Sequence, residues 1–484
     1  MKRIISLSAS AILLVACGDR QADETTPEET SAVPQPEAVE TAALIPRTVI
    51  FGNPERTLAR ISPDGAWVSW LAPDNGVMNV WVAPADDPES ATVITHDDYR
   101  GIRNYFWAPN SEFIYYIQDD GGNENFHVYS ANIANGDVVD LTPVASGVRA
   151  QIEALSADHP DQLVVGLNER DSQVFDLYLV NGKTGKRELI QENPGFMAWV
   201  IDHDLEPQLG QAPTPDGGAN LVDMEGNVIA EIPTSDFLNT GAIGFNTGND
   251  AIYMIDSRER DKAALTTLSL DSGEISVLAE SDLADVSDVL IDARTHEPIA
   301  YNVNHLKSRW FALNDETAAD FEALKSELRG ALDIVATTQD MSKWVVHEDS
   351  ASKSGAYYIY DRDSKSVTKM LDQRPALEDY TLAPMQALEL KSRDGLTLVS
   401  YLTLPPGSDA NGDGTPEEAL PMMLWVHGGP WARNEYGYHS VHQWLANRGY
   451  AVLSVNYRGS TGFGKAFTRA SVGEWAGKMH DDLI

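Results

Sequence analysis

The sequence predicts an all-β propeller of seven blades, followed by the first part of a parallel α/β domain. Three observations carry that prediction. A short strand marked by an aromatic residue and closed by a turn recurs with one period between about residues 44 and 385. After residue 385 the pattern changes to an apolar strand, a glycine turn, a helical stretch and a second apolar strand. The chain has 484 residues, 43% of them hydrophobic, which is enough for two sizeable cores.

The first 43 residues stand apart from both domains. Lys2-Arg3 precede the apolar run Ile4 to Val15, which is too short to span a bilayer and reads as an export signal. Leu14-Val15-Ala16-Cys17 resembles the lipobox of bacterial lipoproteins, in which the Cys17 thiol takes the diacylglycerol after cleavage. Cys17 is the sole cysteine, so no intramolecular disulfide can form and burial alone must hold the fold. Gly18 rather than Asp follows it, and by resemblance this favours the outer membrane. The expected location is the cell envelope, on the periplasmic side of that membrane, with membrane attachment through Cys17. Residues 18–43 are rich in Glu, Thr, Pro and Ala and cannot bury enough apolar surface to fold, so they read as an extended tether.

Charge excludes some partners. Asp and Glu number 73 against 35 Lys and Arg, a formal net charge of −38. Such a surface repels nucleic acid and anionic lipid. No motif calls for a cofactor.

The propeller reading, residues 44–385, rests on spacing. Trp81, Tyr129, Tyr178, Thr266 and Tyr358 occupy equivalent places in the repeated strand, at steps of 48, 49, 88 and 92. The last two are twice 44 and twice 46, so each skips one degenerate copy, and the total is seven. Pro63 and Pro109, in Ser62-Pro63-Asp64-Gly65 and Ala108-Pro109-Asn110-Ser111, give a second marker 46 apart. A period in the high forties suits about four strands per blade. One stretch breaks the pattern: 316–328 places Phe321, Leu324 and Leu328 on one helical face, with Thr317 and Asp320 suiting a capping box, and reads as a helix decorating a blade. Asp119 to Asn125 reads as a solvated turn between strands.

Residues 386–484 form the second domain. Leu388–Leu390 and Leu396–Leu404 make a hairpin across Arg393-Asp394-Gly395, where Asp-Gly suits a primed turn. Met422 to Val426 is a continuous apolar strand, about Tyr438 to Asn447 a crossover helix, and Tyr450 to Val455 the next strand. Asp409 to Thr415 has the oxygen spacing of a calcium loop, but its twelfth position is Leu420 instead of Glu, so an exposed polar turn is expected and no metal site is assigned.

Two phrases carry a resemblance: Val426-His427-Gly428-Gly429-Pro430-Trp431, and Asn456-Tyr457-Arg458-Gly459-Ser460-Thr461-Gly462-Phe463-Gly464. With Leu44 to Arg56 and Gln118 to Tyr129 ahead of them, they resemble the prolyl oligopeptidase family of serine peptidases, nearest its acylaminoacyl-peptidase-like and dipeptidyl-peptidase-like branches. The resemblance implies a seven-bladed propeller over an α/β-hydrolase domain, here its N-terminal part only, acting on short peptides. It implies an oxyanion loop at His427, Gly428 and Gly429, with the Gly429 N–H as donor and His427 orienting the loop. It implies a substrate-pocket turn at Arg458 and Gly459, where these residues serve either a structural role or a contact. The serine of a G-x-S-x-G elbow and its Asp and His are expected beyond Ile484, since no such elbow occurs in the 484 residues. His480-Asp481 is not a substitute, because adjacent helical residues do not face each other. The polypeptide as given is expected not to hydrolyse peptides, and its 386–484 segment, with the apolar faces of Met422–Val426 and Tyr450–Val455 short of packing partners, to be poorly stable. The alternative is a non-catalytic propeller lipoprotein that binds peptides or protein partners. No amine-binding Glu pair is evident, which leans the substrate reading toward acylaminoacyl or endo cleavage. Oligomeric state is left open.

Overall fold

The third strand of each blade explains why the period is legible. Trp81, Tyr129, Tyr178, Thr266 and Tyr358 all fall on third strands, Val77–Pro84, His127–Asn132, Asp176–Asn181, Ala264–Ser269 and Lys353–Asp361. Each sits opposite a second-strand residue on an antiparallel ladder, where large side chains pair best. Trp70 faces Trp81 and Tyr116 faces Tyr129, the latter rings stacked at 5.2 Å. The two skipped copies are Ala219–Asp223 and Ser308–Ala312. The first has no aromatic residue; the second has Trp310 but runs into a helix where a glycine turn would mark the repeat.

The computed structural model describes residues 42–484, which form one compact unit. The export signal, Cys17 and the tether up to residue 41 lie outside the described residues. Seven antiparallel sheets follow in chain order: 57–93, 105–140, 150–191, 198–232, 241–279, 286–312 and 331–372. Six have four strands and the sixth has three.

An apolar cluster fills each seam between neighbouring blades. The seam that closes the ring buries Val345, Tyr357 and Leu371 of blade 7 against Ile61, Val68 and Trp70 of blade 1. All strands of each blade are contiguous in sequence, so side-chain packing closes the ring. Hydrogen bonds add a belt on one face, where the turns between first and second strands meet. Asp64 N–H to Ser111 Oγ (3.1 Å) joins blades 1 and 2, and Asn110 to Asp161 (2.8 Å) joins 2 and 3. Ser156 Oγ–H donates to His203 O, the His203 ring meets Asn246 O, and Thr247 donates to Thr295 O. Gln339 completes the circle, its side chain donating to Ala293 O and its N–H to Pro63 O at 2.8 Å.

The helix of blade 6 is Asp315–Glu327, and its cap differs from the sequence expectation. Asn314 accepts the Thr317 N–H at 2.8 Å, so the capping residue lies three positions before Thr317. Phe321, Leu324 and Leu328 fill the seam with blade 7 beside Trp310 and Trp344. Asp320 is fully buried and takes hydrogen bonds from Tyr360, Arg362 and Lys365.

The C-terminal sheet has four strands, in the spatial order Met385–Lys391, Thr397–Thr403, Ala451–Val455, Met422–Trp425. The last two are parallel, joined through the helix Ser440–Ala446. The hairpin turn is not a primed one. Only Gly395 has positive φ (+94°), and the Gly395 N–H donates to Ser392 O, so a type I turn ends in one left-handed glycine. Residues 44–52, read from the sequence as part of the propeller, pack instead on this region: Ile45 and Ile50 join Leu377, Leu382 and Trp444 in one cluster. Packing of the two parallel strands is uneven. Ala451–Val455 is well covered, contrary to expectation, because it lies inside the sheet; Met422–Trp425 is the edge and stays exposed.

Candidate functional site

Parallel pairing puts the carboxyl ends of Met422–Trp425 and Ala451–Val455 on the same edge of the sheet, so the loops that follow them meet. The meeting is tightly bonded. The Asn434 N–H donates to Asn456 Oδ1 at 2.7 Å, and Asn456 Nδ2 returns a bond to Asn434 O. The Thr461 N–H donates to Ala432 O at 3.0 Å.

His427 is built into this junction. Its ring stacks on Tyr457 at 4.6 Å, and the Tyr457 hydroxyl donates to His427 O at 3.0 Å. Nδ1 lies 2.8 Å from Gly428 O, and Nε2 lies 2.8 Å from the Oγ of Ser460, a fully buried residue. Burial, with the nearby Arg433, holds the imidazole pKa below its ordinary value, so the ring is neutral at pH 7. Gly429 has φ +134°, and a Cβ there would come within 2.6 Å of the Trp431 backbone nitrogen. Only glycine fits. Gly429 is exposed, and among the described residues no protein group accepts a hydrogen bond from its N–H.

Arg458 departs from the substrate-pocket reading. Its side chain is buried, and Nε and Nη2 clamp both carboxylate oxygens of Asp482 at 2.8 and 2.7 Å. Nη1 and Nη2 reach Asp394 at 3.0 and 2.7 Å, and the Arg458 N–H also donates to Asp482. Hydrogen bonding to the guanidinium holds the Asp394 carboxyl well below its usual range, and the two carboxylates push the arginine pKa up. The residue ties the hairpin turn to the final helical segment. Its neighbour Gly459 does lie at the loop: a Cβ there would come within 3.2 Å of Pro430. His480 and Asp481 form no dyad, since Asp481 pairs with Arg393.

Contacts with the propeller fix the loop edge in place. Arg433 donates to Asn304 O at 2.8 Å and to His305 O, and its guanidinium covers Phe463 at 4.3 Å. Lys465 Nζ donates to Asp236 Oδ1 at 2.6 Å, and the Ala466 N–H donates to Asp261. A cavity of about 380 Å³ lies beside this loop, with Trp425, His427, Arg433, Tyr436 and His439 in its lining. Asp119 to Asn125 folds on itself, the Glu124 N–H donating to Asp119. The Asp409 carboxylate is engaged by the Asp413 and Gly414 N–H groups and by Gln386. Among the described residues no group of three or more His, Cys, Asp or Glu could hold a metal ion, and no helix is long and apolar enough to cross a membrane.

Sequence reasoning quoted Tyr457 and Ser460 without assigning them a task, and it missed Arg433, Asp394 and Asp482 as structural partners. The first pair had a signal: aromatic and hydroxyl residues packed directly after an apolar strand. The others are joined across 24 to 129 positions, which no local pattern reports.

A seven-bladed propeller is set against a mixed four-stranded sheet, with a glycine loop at the carboxyl edge of its one parallel pair. Residues 436–484 match the model of the prolyl oligopeptidase family. Similarity to peptidases extends over most of the chain. It is 44% identical to dipeptidyl aminopeptidase BIII of Pseudoxanthomonas mexicana, over 91% of this chain and 65% of that protein. It is 30% identical to dipeptidyl peptidase family member 6 of Caenorhabditis elegans, over 91% of this chain and 64% of that protein. The chain thus spans just under two thirds of these relatives. A puromycin-hydrolyzing peptidase of Mycobacterium tuberculosis shares the fold, with a TM-score of 0.65, 14% identity and coverage of 90% and 70% of the two chains. A puromycin hydrolase aligns similarly, with a TM-score of 0.60, 15% identity and coverage of 89% and 70%.

Proposed function

We propose that this chain is the propeller and leading α/β portion of a serine-type peptidase that cleaves short peptides by acyl transfer. The observation that carries the proposal is the Gly429 amide, exposed, without a protein acceptor among the described residues, and held at the sheet edge that faces the propeller. There it suits one half of an oxyanion hole, and losing one such donor costs about 3 kcal/mol of transition-state stabilisation. The other half and the nucleophile belong to a G-x-S-x-G elbow expected past Ile484. Similarity to a dipeptidyl aminopeptidase and to a dipeptidyl peptidase family member supports release of dipeptides, against the lean toward acylaminoacyl or endo cleavage.

The test is to read the coding region past Ile484 and to treat the product with a fluorophosphonate. An elbow serine that labels, with dipeptides released from a peptide panel, supports the proposal. A stop codon at this point with no labelling leaves a propeller without this chemistry. Envelope anchorage through Cys17 is part of the same proposal, supported by the lipobox. Palmitate incorporation that survives Cys17→Ser would rule it out.

A further inference from the structure

We infer that His427 is a positioning residue, kept in its Nδ1–H tautomer by the Ser460 hydroxyl, and that this tautomer sets the direction of the Gly429 N–H. The inference rests on the oxyanion-loop reading above and adds the group that aims the loop.

A trans peptide is planar, with its C=O and N–H pointing in opposite directions. The Gly428 carbonyl and the Gly429 N–H belong to one such plane, so whatever holds the carbonyl aims the N–H. The holder is His427 Nδ1, at 2.8 Å. A carbonyl oxygen can only accept, so Nδ1 must carry the proton. A neutral imidazole has one N–H, which leaves Nε2 as an acceptor. The atom 2.8 Å from Nε2 is Ser460 Oγ, shut away from water and therefore the donor available there. Ser460 Oγ also lies 2.7 Å from Tyr457 O, but that carbonyl already receives the Ser460 N–H at 3.0 Å. Turning the hydroxyl toward Nε2 therefore leaves no buried group unpaired.

The preceding plane is held in the same way, through the Tyr457 hydroxyl on His427 O. This matters because Gly428 has open space where a side chain would stand, so nothing steric stops its peptides from flipping. His427 and Tyr457 supply the restraint that the glycines lack. The commoner Nε2–H tautomer would put two lone pairs face to face at Gly428 O and release the plane.

Ring-nitrogen NMR on the full chain, with 15N-histidine, reads the tautomer directly; His427→Asn identifies the signal by its loss. The expected wild-type pattern at pH 7 is a protonated Nδ1 and a bare Nε2, and Ser460→Ala should shift the population toward Nε2–H. An Nε2–H tautomer in the wild type overturns the inference, as does a Ser460→Ala protein that keeps Nδ1–H undiminished. A second readout does not depend on Ser460→Ala folding. In a polypeptide that carries the nucleophile, His427→Phe should lower kcat on the order of 10²-fold with KM nearly unchanged. His427→Asn, whose amide nitrogen falls near the place of Nδ1, should restore most of the loss. A change confined to KM, or no rescue by asparagine, refutes the positioning role. If no serine labels with fluorophosphonate, the catalytic reading fails while the tautomer result stands by itself.

Discussion

Blade 7 meets blade 1 across the ring and buries Tyr357 and Leu371 against Trp70, whereas the outer side of Met422–Trp425 meets no strand among the described residues, leaving Met422 57% and Trp425 38% exposed. Both regions are made of apolar strands with ordinary ladders. The difference lies in closure. A ring gives each blade two neighbours, so seven seams bury the inner strands of the sheets while outer strands such as Ile275–Ala279 stay exposed, and the belt of turns adds a hydrogen bond at each seam. Among the described residues the C-terminal sheet has two edge strands, Met385–Lys391 and Met422–Trp425, each paired on one side only. It is held by its antiparallel hairpin, by the Asp394–Arg458–Asp482 clamp and by the propeller contacts of Arg433 and Lys465. Stability in this chain follows from who has a neighbour, more than from how apolar a strand is.

The largest effect that can break this contrast is at a seam. Trp344 is fully buried between blades 6 and 7, against Phe321 and Tyr360 and beneath the Arg362 guanidinium at 4.8 Å. Trp344→Ala should lower propeller stability by about 3–5 kcal/mol, through lost transfer energy and a residual cavity. Urea melts followed by far-UV circular dichroism check it. A loss below about 1 kcal/mol would mean that the seams are not what holds the ring.

Acid should separate the regions next. His442 is buried, with Nδ1 2.9 Å from Thr403 Oγ1 and Nε2 2.7 Å from Ser454 Oγ, and burial pushes its pKa down from 6.5 to about 3. A base with a depressed folded pKa stays neutral when folded and takes its proton only on unfolding. Its contribution is fully present above 6.5 and is lost as pH falls toward 3. By pH 4 the loss should be on the order of 3 kcal/mol. His427 and His439 move in the same direction. The propeller's Asp176 and Asp292 have lowered pKa values, so their support is present above 3.8 and fails only below it. Hydrogen exchange at pH 4.5 against pH 7 should therefore open peptides from 397–403 and 440–455 while the propeller away from His296, whose pKa is also lowered, keeps its protection. Uniform opening would remove the contrast.

How much of this was legible follows the same division. Blade number came from third-strand aromatics because each blade repeats one local solution to one packing problem, and even the skipped copies at Leu221 and Trp310 were implied by the doubled steps. The glycine at 429 was legible because the backbone there takes a φ of +134°, which favours glycine. The structural role of Arg458 could not be told from a contact, because its partners lie 64 positions before it and 24 after it, and sequence shows a charge without showing what neutralises it. The Asn314 cap was missed because a Thr that could cap stands three residues inside the helix. The Asp394-Gly395 turn was misassigned because the same dipeptide serves two turn types that differ only in how many residues take positive φ.

A smaller test concerns the belt. Ser156 is buried, and its hydroxyl joins blade 3 to blade 4 through His203 O. Ser156→Ala leaves that carbonyl short of a donor and should cost about 1 kcal/mol, the usual worth of one such bond. Comparing its melt with that of Trp344→Ala separates the belt's share of ring closure from the share of packing. Equal losses would mean that the hydrogen bonds, and not the apolar seams, carry the closure.

The smallest effect on stability should come at the open edge, and there a second readout carries the information. Met422 and Trp425 project from a strand whose outer hydrogen-bonding groups are unpaired among the described residues, an arrangement that recruits other chains. Met422→Lys should change stability by no more than about 0.5 kcal/mol, because an exposed side chain has little packing to lose. It should nevertheless reduce association, since a lysine on an edge strand must be desolvated when another strand docks. Light scattering against concentration reads this, with Val82→Lys, at a buried place in blade 1, as the opposite case that should unfold. If Met422→Lys melts as badly as Val82→Lys, the edge is not free in solution and something covers it. If it leaves both stability and association unchanged, exposure of this strand has no energetic consequence, and the contrast between the closed ring and the open sheet concerns shape alone.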